Sequence, residues 1–422
     1  MRALILARVS LFFPLVLTTL RKAEYAELMI LFFIQAAAMS IWFVPLGAIL
    51  DAHGLRNIKP FAFAAAAVAA FISPLLFGAM ADRHVPPAKV LRGLAIATAT
   101  MMTLISTAMR GHWNEWLILA LIQIFYLSYS PMFSISTALV LARLDDAKKE
   151  FGPIRALATL GWMCGALLIS ALSLDRSAYT GYLGAVVWLL VALFTFYLPT
   201  LEIPKSAEHL AWHERLGLDA LTLLKDREVR VVFIVTTLFN IPLAAFYPYA
   251  PTHLHDLGFT HTSAWMSCAQ ITELIAMFGL AWLLVNWRLK WIFAAGLSLG
   301  VLRFVFSAMD TKPSLLLGVT LHGASFVLVF ITAQIFLDQN IASAWRNRAQ
   351  VLLTLLNGGI GNLIGYLGSG WWFATCTPAG RTDWRLFWGA LAAMVTAVLT
   401  YFLIAYRDKG IKPGKIISPA TT

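Results

Sequence analysis

Two polar clusters sit inside apolar stretches of the chain, where an ionisable group is expensive. Arg155, Thr159 and Trp162 follow i, i+4, i+7 spacing within 153–174, so a helix sets all three on one face. Gln270 and Glu273 are i, i+3 neighbours within 262–285. An ionisable side chain at bilayer depth costs about 2.5–3.5 kcal/mol on insertion scales and is seldom kept without a use. A cation, a hydroxyl and an indole together suit a polar solute that carries a ring. Glu273 lies deep in its apolar run and is the group best placed to relay a proton, whereas Asp338 falls at the end of one. Structural readings stand beside these. Arg155 near a helix start can snorkel to the surface, and Glu273 can pair with Arg303.

The elements that must hold these residues are membrane spans. Hydrophobic residues make up 60% of the 422 and charged residues 13%, against about 25% charged in a soluble domain. The apolar residues fall in twelve blocks: 28–50, 61–81, 90–109, 115–141, 153–174, 180–200, 230–250, 262–285, 290–308, 314–337, 348–373 and 384–406. Each is near the roughly 20 residues that cross a hydrocarbon core as a helix. No water satisfies the backbone there, and the blocks lack the two-residue alternation of a membrane β-barrel. The reading is an all-α membrane protein of twelve transmembrane helices.

Basic residues set the orientation. With the N-terminus inside, 23 of the 32 Lys and Arg fall in cytoplasmic segments and 7 outside, with Arg155 and Arg303 inside helices. That bias puts both termini in the cytoplasm. It also explains the net charge of +11 without a nucleic acid. The polar segment 201–229 splits the chain into an N-terminal bundle at 28–200 and a C-terminal bundle at 230–406. Residues 1–27 read as a cytoplasmic or interfacial segment and 407–422 as a cytoplasmic tail. Six helices plus six is the layout of the major facilitator fold, with a solute site at mid-membrane. Gly78-Ala-Met-Ala-Asp82-Arg83, followed by Lys89 and Arg92, is similar to the loop signature of that superfamily. Its glycine allows close helix approach, and its Asp can cap a helix or pair with an Arg.

Other signals are weaker. In Asn357-Gly-Gly-Ile-Gly-Asn362-Leu-Ile-Gly365 the glycines suit close packing, and Asn357 and Asn362 are candidates for the solute. His253, His255 and His261 read as exposed loop histidines rather than a metal site. Cys164, Cys268 and Cys376 have no paired spacing. No nucleotide-binding or hydrolase motif is present, so neither an enzyme nor a resident cofactor or metal is expected.

From the first block to the last, the chain resembles the nucleoside:proton symporters of the major facilitator superfamily. The likeness is densest in Phe151-Gly-Pro-Ile-Arg155-Ala-Leu-Ala-Thr159-Leu-Gly161, Leu216-Gly-Leu-Asp219-Ala-Leu-Thr-Leu-Leu-Lys225, Gln270-Ile-Thr-Glu273, and Arg348-Ala-Gln350 with Asn357-Gly-Gly. It implies a nucleoside site at Arg155, Thr159, Gln270 and Glu273, with Trp162 at an aromatic position suited to a base. Three departures stand out. Helix 10 reads Ser325-Phe-Val327-Leu328 where the resemblance implies a proton-linked Asp. Helix 7 offers Ala244 and Tyr247 in place of amides. Thr137 replaces an Asn on helix 4. Coupling then rests on Glu273, or on His322 one turn before the missing carboxylate.

The expectation is a monomeric carrier in the cytoplasmic membrane, moving a nucleoside-like solute with protons. Uncoupled movement of a sugar or nucleobase, or a non-transporting sensor, are the alternatives. A reporter fused after Thr422 should be active only when cytoplasmic. Activity in the periplasm alone would reverse the orientation.

Overall fold

The computed structural model describes residues 25–81, 86–144, 147–198, 212–407 and 417. The N-terminal segment to residue 24, Asp82 and Arg83 of the loop signature, 199–211 and most of the tail lie outside the described residues. The named elements are all helices, beside one isolated parallel bridge, Ile341 with Ile417. In chain order the main helices are α1 (Ala26–Ala52), α2 (Lys59–Ala81), α3 (Pro87–Arg110), α4 (Glu115–Leu141), α5 (Ala147–Ala171) and α6 (Tyr179–Phe194). There follow α7 (Arg227–Asp256), α8 (Cys268–Asn286), α9 (Leu289–Ala308), α10 (Lys312–Asn340), α11 (Ser343–Thr375) and α12 (Trp384–Ala405). Among the described residues, nine stretches are long and apolar enough to span a membrane: α1, α3, α4, Ile154–Ala171 of α5, α7 and α9 to α12.

The sequence explains the ends and breaks. Asn114, Asp226 and Asp383 accept from first-turn backbone N–H groups and start α4, α7 and α12. Thr311 and Ser314 form a reciprocal cap at α10. Proline interrupts α1 at Val44-Pro45, and α7 turns at Ala244-Ala245 between Pro242 and Pro248. Several ends differ from the apolar blocks. α5 starts six residues before 153, so Arg155 lies beyond the first turns of the helix and not at its start. The 262–285 block opens with a separate turn, Thr262–Met266, before α8.

α7 also runs on to Asp256, which takes His255 out of the loop as well and corrects the reading of His253 as an exposed loop residue. The His253 ring is fully buried. Nδ1 accepts from Trp388 Nε1 at 3.0 Å, so Nε2 carries the proton and donates to Asp310 Oδ1 at 2.9 Å. Trp384 stacks on the ring at 4.4 Å. The helix runs past the apolar block because this histidine is satisfied inside the protein.

The chain forms two compact units. One holds Met1–Ile58, Leu76–Ala207 and Thr260–Ser267, and the other Lys59–Leu75, Glu208–Phe259 and Cys268–Thr422. In the first, Asp175 Oδ1 accepts from the Ser263 N–H at 2.7 Å and from Ser170 Oγ at 2.8 Å, fastening the Thr262–Met266 turn to the end of α5. In the second, buried Lys59 donates to Thr252 and lies 4.9 Å over the Tyr249 ring. Phe63 meets Tyr366 at 5.5 Å. A short 3-10 helix, Leu218–Lys225, docks on α11: Asp219 pairs with Arg348, and Glu214 lies 3.6 Å from it. Gly217, at φ +67, seats its turn against the Arg348 carbonyl. The 216–225 and 348–350 motifs are thus two sides of one contact.

α11 packs on α7 through glycine. A Cβ on Gly365 would lie 2.6 Å from Ala244 Cβ and closer still to the Ile241 carbonyl, whereas one on Gly368 would meet nothing. Gly365→Ala should cost about 1–3 kcal/mol by overpacking, seen as a lower melting temperature in detergent. Gly368→Ala should leave it unchanged. Equal behaviour of the two variants would dismiss the close helix approach.

Candidate functional site

In the first unit, α5 carries Arg155, Thr159 and Trp162 into an aromatic setting. The Arg155 guanidinium lies over the Phe133 ring at 4.6 Å, a contact a cation makes with the electron-rich face. Phe133 stacks in turn on Phe32 at 5.5 Å, and Tyr129 feels the Arg155 charge. Trp162 is half-buried and meets Phe43 edge-on at 5.9 Å. Thr159 is 7% exposed. Tyr129 and Phe133, four apart on α4, were not singled out from sequence; their helical spacing in a long apolar run reads as ordinary core.

In the second unit, Tyr247, Gln270 and Glu273 come together. The Tyr247 hydroxyl hydrogen-bonds the Gln270 side chain, and Glu273, Tyr366 and Arg303 lie near enough to act on it electrostatically. Gln270 is 5% exposed, while Glu273 is half-buried. Gly323 permits this. A Cβ there would lie 2.8 Å from Glu273 Cβ and 2.5 Å from its backbone nitrogen. Thr272 also donates to the Thr320 carbonyl, so α8 and α10 touch backbone to backbone beside Glu273.

His322 precedes Gly323 and is buried. Its Nδ1 accepts from Arg303 Nη1. A guanidinium only donates, so this nitrogen is the acceptor, Nε2 carries the proton, and the ring is neutral. Phe246 stacks on His322 at 4.0 Å, and Arg303 lies 4.6 Å over the same Phe246. Arg303, which the sequence allowed as a partner for Glu273, hydrogen-bonds this histidine.

The missing helix 10 carboxylate is not replaced from a neighbouring turn. Val327 is fully buried in an apolar cluster with Leu280, Ile292 and Leu328. It begins a π-helical stretch, Val327–Ile331. A second, Leu355–Gly361, lies in α11. π turns recur at functional sites because they re-aim side chains. Here the Asn357 carbonyl accepts from the Asn362 N–H, five residues on, and also from Asn240 Nδ2 at 2.7 Å. Asn240 further reaches Asn362 Oδ1 at 2.6 Å, and Thr237 donates to Asn357 Oδ1 at 3.1 Å. Asn357 is therefore tied to α7 by both its carbonyls. Asn240 is the polar residue the sequence reading passed over. Thr237, Asn240, Ala244 and Tyr247 fall on one helical stripe, and that spacing was available to find it. Of the loop signature, Gly78 lies in the last turns of α2, and Asp82 and Arg83 lie outside the described residues.

Residues 23–410 match the family described as Nucleoside H+ symporter. YegT of Escherichia coli (strain K12), whose name assigns it provisionally to nucleoside transport, is 30% identical over 405 residues, covering 91% of this chain and 94% of that protein. Nucleoside permease NupG of the same organism is 25% identical over 411 residues, covering 92% and 96%. The crystal structure of nucleoside transporter NupG superimposes with a TM-score of 0.81 at 24% identity, over 92% of this chain and all of the other. At that identity it speaks for the fold.

The Tyr247–Gln270 contact generates a test. Tyr247→Phe and Gln270→Ala should each weaken solute binding, and a double-mutant cycle should return about 0.5–1.5 kcal/mol of coupling, one hydrogen bond's worth. Strictly additive losses would mean that the two do not act as a pair.

Proposed function

The chain belongs to the nucleoside H+ symporter family, and from that premise we propose which of its residues carry out transport. It is a multi-pass membrane transporter that moves nucleoside with protons, and not an enzyme. We count twelve spans, adding α2, α6 and α8 to the nine stretches above, in a six-plus-six layout. We assign the protein to the cytoplasmic membrane with both termini inside, acting as a monomer; the basic-residue bias supports the orientation.

For the solute we assign Arg155, Thr159 and Trp162 from one unit and Tyr247, Gln270 and Glu273 from the other. An indole and a guanidinium suit a base and its acceptors. An amide and a phenol hold a ribose or base edge through paired donors and acceptors. Asn357 acts one step back: bound by Thr237 and Asn240, it fixes the shape of α11 beside them. Gly78, Asp82 and Arg83 serve the conformational cycle.

For the proton we choose Glu273 over His322. The observation that carries this is the Arg303–His322 hydrogen bond. His322 offers its one ring acceptor to Arg303, so protonating it requires the arginine to leave. Glu273 is half-buried, and a carboxylate that takes a proton on one oxygen keeps acceptor lone pairs for whatever partner it holds. With Val327 in the apolar core, Glu273 is the carboxyl in reach of Tyr247 and Gln270. Proton and solute then bind side by side, which is the arrangement symport needs.

Proteoliposomes test both parts. The wild-type protein should accumulate a labelled nucleoside when a pH gradient is imposed. Glu273→Gln should abolish accumulation yet spare nucleoside exchange. His322→Gln, which keeps an acceptor for Arg303, should retain accumulation. Loss of accumulation only in the His322 variant would move the proton to the histidine. A wild-type protein blind to the gradient would leave facilitated diffusion, and one that binds no nucleoside would favour another solute.

A further inference from the structure

A groove of about 670 Å³ lies in the second unit away from all the residues assigned to the solute. Trp287, Arg288 and Trp291 form its head, where α8 gives way to α9. Its floor runs along α9 through Ala294, Ala295 and Ser298, against Leu399 and Leu403 of α12. We propose that this groove binds one anionic phospholipid of the surrounding bilayer, with the phosphate at Arg288 and an acyl chain along the α9–α12 seam. The proposal needs only that α9 and α12 span the membrane, and is independent of which solute is carried.

Dimensions favour a lipid over a soluble ligand. From residue 288 to 298 a helix rises about 15 Å, close to half of a hydrocarbon core roughly 30 Å thick. Chemistry grades in the same direction. The head offers a guanidinium, the Asn286 amide and two indoles, and the floor is alanine, serine and leucine. A nucleoside would need donors and acceptors along its whole length, and the floor supplies one hydroxyl. Trp287 and Trp291 are 46% and 55% exposed, as suits tryptophans at the level of lipid headgroups.

Charge selects the headgroup. Arg288 is exposed, and among the described residues no carboxylate lies within ion-pair distance of it. A phosphate accepts two parallel hydrogen bonds from such a group. Choline or ethanolamine headgroups bring a cation beside it, whereas phosphatidylglycerol does not. The walls are already set. Lys290 donates to the Leu403 carbonyl at 3.0 Å, and Phe293 meets Phe402 at 5.4 Å, holding the start of α9 on the end of α12. A lipid would enter a formed groove.

The test uses full-length protein in detergent, titrated with phosphatidylglycerol or phosphatidylcholine of the same acyl chains and read by native mass spectrometry and melting temperature. Phosphatidylglycerol should saturate one tight site and raise the melting temperature more than phosphatidylcholine. Arg288→Gln should weaken phosphatidylglycerol about fivefold, the effect of one basic group near a charged lipid, and leave phosphatidylcholine and the lipid-free melting temperature unchanged. Trp291→Ala should weaken both lipids. Equal binding of the two lipids by the wild-type protein, or full retention of phosphatidylglycerol by Arg288→Gln, would overturn the proposal. So would a Trp291→Ala variant that binds both as before, since the groove would then not be the place.

Discussion

Inside a bilayer a backbone amide or carbonyl has no water to turn to. Every polar group must find its partner within the protein or be of use to a solute. This constraint explains why the described chain is helix almost throughout. It also explains where it departs from regular helix. The π-helical stretch in α11 leaves its Asn357 carbonyl open to a second donor, and Asn240 of α7 supplies it. α7 breaks at Ala244-Ala245, where glycine on α11 lets the two helices close up. Irregular backbone is kept where a neighbour can answer it.

The same rule sorts the charges. Arg303 is buried with a neutral imidazole as acceptor and two phenylalanine faces as its surroundings. Such an arrangement disperses a positive charge without a carboxylate. Glu273 is the group proposed for the proton. The apolar packing of Val327 removes the other place where a carboxylate would be expected. On the assignment to Glu273, proton chemistry rests on fewer groups than the family resemblance implies.

Much of this is written in the chain itself. Apolar blocks of span length, the polar faces of α5 and α8, and the glycines of α11 all follow from local spacing. Other features depend on partners remote in sequence. Whether His253 ends a helix or hangs in a loop is decided by Trp388 and Asp310, 135 and 57 residues away. That Arg303 hydrogen-bonds His322 is a matter of side-chain packing around Phe246. Asn240 was hidden for a different reason: one amide in an apolar run looks incidental until Asn357 and Asn362 are brought beside it. The depth of Arg155 changed because α5 starts earlier than apolarity alone would start it, with Glu150 buried against the Tyr25 hydroxyl.

The first turns of α2 have their packing partners far along the chain. Pro60 seats against Gly370, Phe63 against Tyr366 and Phe71 against Gly359, so Lys59–Leu75 is grouped with helices that begin more than 150 residues later. The Thr262–Met266 turn is likewise held by Asp175. A chimera with a relative, spliced at the polar linker, would therefore separate residues that fit one another. Proline would face a foreign side chain where it now faces hydrogen, and Asp175 would meet an unmatched helix start. Recombination that respects the packing has to carry 59–75 along with the C-terminal helices and leave 260–267 behind. Substitutions in those two short stretches should accordingly track changes in the opposite half of the sequence as such proteins diverge.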